Sequence, residues 1–99
     1  MKEMPRRGEQ TDLLVRALLA VKTPEECYRL LDDLCTIQEV RALAQRIQVA
    51  RMLRGRVTYQ EIAGETGAST ATIIRVNRCL LYGADGYQIV LDRMEKEDA

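Results

Sequence analysis

The sequence predicts an all-α fold of about six helices, and three observations predict it. Apolar residues return at the helical spacing i, i+3, i+4, i+7 in segment after segment, nowhere does strict alternation persist, and residues that start or stop helices stand at the segment ends. The first helix, from about Glu9 to Val21, has Leu14, Ala17, Leu18 and Val21 on one face, but Leu13, Val15, Leu19 and Ala20 make it apolar elsewhere, so one packing partner would not cover it. Thr23-Pro24 supplies an N-cap and a first-turn proline, with Glu25 and Glu26 at the positive end of the helix dipole. A short second helix follows through Cys27, Leu30, Leu31 and Leu34.

Thr36-Ile37-Gln38-Glu39 is a capping box, and the pattern behind it runs unbroken to Arg54, with Gly55 as the expected C-terminal cap. This third helix would be about 27 Å long. Its main stripe is Ile37, Val40, Leu43, Ala44, Ile47, Ala50 and Leu53, and Ala42, Val49 and Met52 form a second, so two faces require cover. A two-fold homodimer in which the first and third helices pack against a second subunit is the economical solution; a central helix wholly buried within one monomer is the alternative. Thr58-Tyr59-Gln60-Glu61, a second capping box, opens a fourth helix that stops near Gly67, and Ser69 caps a fifth through Leu81. Gly83 and Gly86 make a turn, after which Tyr87, Val90, Leu91 and Met94 mark a sixth helix. Residues 1–8 and Glu95 to Ala99 are charged and poor in apolar residues, which predicts mobile ends around a single domain of residues 9–96.

Composition narrows the function. A chain of 99 residues, 46% hydrophobic and 30% charged, has the size and make-up of one folded domain. Its apolar runs are too short for a membrane span, and no apolar stretch follows the charges of Met1 to Gln10, so a soluble, cytoplasmic protein without a membrane partner is expected. Cys27, Cys35 and Cys79 are widely spaced and no histidine is present, so they read as small buried hydrophobes, with no metal site and no cofactor expected. Glu61 or Asp85 could act as a base, but no nucleophile, metal cluster or phosphate loop accompanies them, and the chain does not read as an enzyme. The formal net charge is zero, yet residues 39–82 carry seven arginines against three acidic residues. A local basic face is therefore compatible with overall neutrality.

The stretch 58–81 reads as a helix-turn-helix: two short helices joined by a tight, glycine-containing turn. Ala63 is small where the helices approach, Gly67 suits a positive φ in the turn, and Ile73 fills the angle between helices, with Ile62 and Val76 completing a small core. Ser69, Thr70, Ala71, Thr72, Ile74, Arg75 and Arg78 then fall toward the outer side of the second helix, where they could read a major groove. Phosphate contacts would come from Arg54, Arg56 and a second subunit, and Thr58, Tyr59 and Gln60, where the first helix of the pair begins, count among the expected DNA-binding residues. The same bihelical unit also serves as a protein-interaction module, docking on another transcription component without reading DNA sequence.

From about Asp12 to Met94 the chain resembles the Trp repressor superfamily, and within it the YerC/YecD branch of TrpR-related proteins. The resemblance rests on Leu30-Leu31-Asp32-Asp33-Leu34-Cys35-Thr36, Ala42-Leu43-Ala44-Gln45-Arg46, Leu53-Arg54-Gly55, and the run from Glu65 to Arg75. The ending Asn77-Arg78-Cys79-Leu80-Leu81-Tyr82-Gly83-Ala84-Asp85-Gly86-Tyr87 resembles the YerC/YecD branch rather than the repressor itself. It implies an intertwined, all-helical homodimer that binds double-stranded DNA and regulates transcription. In the repressor, tryptophan sits between two arginines, which match Arg46 and Arg75 here, and Thr36 also matches a pocket residue. Where the repressor has a glycine and a serine, however, this chain has Val76 and Cys79. Tryptophan is therefore not the expected co-repressor; Arg46 and Arg75 either hold another small carboxylate effector or make structural ion pairs, the second reading being preferred.

Overall fold

A computed structural model of the chain describes residues 7–98 and divides it into two compact units, Met1–Val40 and Arg41–Ala99. Among the described residues there are six α-helices and no strand. In the first unit, α1 (Glu9–Ala20) and α2 (Pro24–Leu34) precede the opening of α3 (Ile37–Arg54). Thr23 caps α2 by accepting the Glu26 N–H at 3.1 Å, with Pro24 in the first turn, where its missing N–H costs nothing. At the start of α3 both bonds of the expected capping box are made. The Glu39 N–H donates to Thr36 Oγ1 (3.1 Å) and the Thr36 N–H to Glu39 Oε1 (2.8 Å). The Thr36 N–H and, after it, the Thr36 hydroxyl hold the Glu39 carboxyl below the usual carboxylate range. No described residue of this unit is buried, although α1 carries Leu13, Leu14, Val15, Leu18 and Leu19.

The second unit is organised around Val49 and Ala50 of α3, Ile62 of α4 (Tyr59–Thr66), Ala68 in the turn that follows, Ile73, Val76 and Leu80 of α5 (Thr70–Tyr82), and Leu91 of α6 (Gly86–Asp98). Met52, Leu53, Val57, Ala63, Tyr87 and Met94 pack around this core. Truncating Ile73, which is fully buried, would cost about 2–5 kcal/mol on the usual scale for such deletions. Polar ties fix the helices: Gln45 Nε2 donates to the Thr66 carbonyl (3.1 Å), and Gln88 Nε2 to the Leu80 carbonyl (3.0 Å). Leu43 and Ile47 of α3 stay exposed, so the long helix is not wholly buried within one chain.

Several expectations are corrected. The cap of α3 is a Schellman ending whose left-handed residue is Arg56 (φ 59), not Gly55. The Arg56 N–H donates to the Leu53 carbonyl (3.0 Å) and the Val57 N–H to the Met52 carbonyl (3.1 Å), which places Gly55 one residue before the left-handed position. In the next turn it is Asp85 (φ 69) that adopts the left-handed conformation; Gly83 serves close approach, since a Cβ there would collide with the Cys79 carbonyl. Helix α6 runs on through Asp98, so Glu95 to Asp98 are helical rather than a loose tail, held by Arg54 and Arg51 of α3. Residues 1–6 and 99, also expected to be mobile, lie outside the described residues. The cysteines are not buried: Cys27 and Cys79 are exposed on helices α2 and α5, and Cys35, the residue that ends α2, is half-exposed.

Candidate nucleic-acid interface

Helices α4 and α5 meet through a turn built by local chemistry. Gly67 ends α4 in the left-handed conformation (φ 73), its N–H bonded to the Ala63 carbonyl at 2.9 Å. Thr66, which the sequence reading missed, organises the same turn: its hydroxyl donates to the Ile62 carbonyl (2.7 Å) and accepts the Ala68 N–H (3.1 Å). A threonine at a helix C-terminus that can bond backward and forward would have been the signal for it. Ala68 is buried where the chain crosses from one helix to the next. At the start of α4 only the forward half of the predicted box forms, the Glu61 N–H donating to Thr58 Oγ1 at 3.2 Å. Thr58, Tyr59 and Gln60 are exposed there.

Helix α5 separates its two sides cleanly. At about 100° per residue, Ile73, Val76 and Leu80 lie on one side, and all three are buried. Ala71, Ile74, Arg75 and Arg78 share an arc of roughly 100° on the opposite side. All four are exposed, as is Thr70 at the helix start. Ser69 caps the helix, accepting the Thr72 N–H at 3.1 Å while its own hydroxyl donates to Thr72 Oγ1 at 3.0 Å. No acidic residue stands in the first turn, and Arg75 and Arg78 take part in no ion pair among the described residues.

Two arginines expected at phosphates part company. Arg56 is exposed beside the start of α4. Arg54 is turned into the fold: its guanidinium meets Asp92 at 2.7 Å and Glu95 at 3.3 Å, and donates to the Gln88 carbonyl at 3.4 Å. Its side chain is 20% exposed, and these contacts tie it to α6.

Of the expected effector residues, Thr36 belongs to the first unit and Arg46, Arg75, Val76 and Cys79 to the second. Thr36 is the cap of α3, and Val76 is buried in the core of the second unit. Cys79 lines an open apolar groove of about 460 Å³ with Ile47, Gly83, Ala84, Gly86, Tyr87 and Val90, to which neither Arg46 nor Arg75 contributes. Nor do Arg46 and Arg75 make the structural ion pairs that were the preferred reading, since neither is paired among the described residues.

A family model for the Trp repressor protein matches residues 9–95. The chain belongs to the Trp repressor family. The uncharacterized protein YerC of Bacillus subtilis (strain 168) is 56% identical over 92 residues, spanning 93% of this chain and 88% of YerC. Among solved structures, a TrpR-like protein from Eubacterium eligens ATCC 27750 superposes with a TM-score of 0.82 at 51% identity, over 85% of this chain and 87% of that one. A Trp repressor candidate from Staphylococcus aureus gives 0.86 at 50% identity, over 90% and 89%. The all-α Trp repressor-like fold is thus established on sequence and on structure. Among the described residues no helix is long and apolar enough to cross a membrane.

Proposed function

We propose that the chain is a sequence-specific DNA-binding transcriptional regulator that acts as a homodimer, with residues 9–96 working as one domain. The observation that carries this reading is the outward arc of α5. Ala71, Ile74, Arg75 and Arg78 are exposed opposite the buried stripe, with Thr70 exposed at the helix start, and none of them belongs to the core. Such an arc can enter a major groove, with Arg56, Thr58, Tyr59 and Gln60 reaching phosphates beside it. Membership of the Trp repressor family points the same way.

Dimerisation is supported by what the first unit leaves uncovered. A helix of 12 residues is marginal in water on its own, and α1 exposes five large apolar side chains. A second subunit would cover them, and would set two α5 helices to read half-sites roughly 34 Å apart, the general spacing for dimers of this kind. Tryptophan is not proposed as co-repressor, because Val76 and Cys79 stand where its pocket needs a glycine and a serine.

Selection from a random duplex pool, at moderate salt and with no amino acid added, tests the proposal. Enrichment of a two-fold symmetric motif is the expected result. Binding that is indifferent to sequence would overturn it in favour of a second reading, a helical interaction module that docks on another transcription component. That reading draws on the exposed Leu81 and Tyr82 at the end of α5 and on Ile89 and Val90 of α6, an apolar surface outside the arc's polar rim.

A further inference from the structure

The outward arc of α5 contains one large apolar side chain that the fold does not use. Ile73 is fully buried in the core, while its neighbour Ile74 stands 44% exposed on the other side of the helix. A β-branched residue at an exposed helical position has below-average helix propensity and keeps apolar surface in water. Neither folding nor solubility accounts for it.

The chemistry around Ile74 restricts what it can recognise. The arc contains no Asn, Gln, Asp or Glu, so it lacks the bidentate partner of adenine and the acceptor for the cytosine amino group. Asn77 is half-buried and lies outside the arc. What the arc offers is arginine, which suits guanine, and the apolar surface of Ile74 and Ala71 one turn before it; a hydroxyl, which suits several bases, stands beside it at Thr70. Only one feature of the major-groove edge answers to apolar surface: the C5 methyl of thymine. Resting on the reading of α5 as a DNA-reading helix, we infer that Ile74 is a specificity-determining residue that packs on a thymine methyl once in each half-site.

The test uses the intact chain and the operator recovered by selection, resynthesised with deoxyuridine in place of each thymine in turn. This change removes one methyl and keeps every hydrogen-bonding group. Burial of one such carbon corresponds to roughly a fourfold change in affinity. One thymine per half-site is expected at which uracil weakens binding by about that factor, and Ile74→Ala is expected to bind the thymine and uracil forms equally while keeping its helical content. Ile74→Val, which keeps both γ carbons and loses only the δ methyl, should keep part of the discrimination should the alanine variant fold poorly. A wild-type scan in which no thymine responds would overturn the inference, as would a response that persists in Ile74→Ala. Failure of the selection to yield any motif would instead overturn the DNA reading itself, before uracil is introduced.

Discussion

Two left-handed backbone positions frame α4, and opposite kinds of residue occupy them. Gly67 takes φ 73 with open space where a Cβ would sit, so Gly67→Ala meets no neighbour and its whole cost is backbone strain. The expected loss is about 1–2 kcal/mol, read as a lower urea midpoint at unchanged slope. Arg56 takes φ 59 and already bears that strain, in a position where glycine would bear none. Arg56→Gly should therefore gain about 1 kcal/mol in the same measurement while weakening DNA binding, the opposition expected of a side chain retained for its charge. An Arg56→Gly variant that is no more stable would show that the surrounding contacts relieve the strain.

At the scale of elements, Arg54 ties α3 to α6 through carboxylates that are about 60% exposed, so the tie contributes only about 1 kcal/mol after solvent screening. Arg54→Met should lower hydrogen-exchange protection in α6 and leave the salt dependence of DNA binding unchanged. Arg75→Ala should flatten that dependence, lowering the slope of log K against log salt by about 0.9 if its guanidinium meets a phosphate. The contrast explains what a linear reading of the chain can reach. Caps and helix periods are local, so the Thr36 box, the Thr58 cap, the Gly67 turn and the buried stripe of α5 are all legible from spacing. The tie between Arg54 and Glu95 spans 41 residues and leaves no periodic trace, so the end of α6 reads as a solvated tail. The cap at Arg56 is hidden for a different reason: an adjacent glycine offers a better local explanation than the residue actually used. Gln45 and Thr66 escape notice because a half-buried polar side chain looks like any surface residue until its backbone partner is known.

At the scale of the molecule, one half of the chain has a core and the other has only candidates for one. The described residues of Met1–Val40 include none that is buried, and Leu19 of α1 is 78% exposed. If a second copy supplies the cover, stability is inseparable from association. The melting temperature should then rise with chain concentration, and Leu19→Glu should sediment as a monomer with reduced helical content. A melting temperature independent of concentration, with the wild type sedimenting as a monomer, would contradict the dimer. The division of labour within α5 has an evolutionary corollary. Ile73, Val76 and Leu80 secure the scaffold, Ser69 and Thr72 secure the helix end, and Thr70, Ala71 and Ile74 do neither. Those last three positions are free to drift without the chain unfolding, so descendants of one ancestor could acquire new targets by changing a few outward residues while inheriting the same architecture intact.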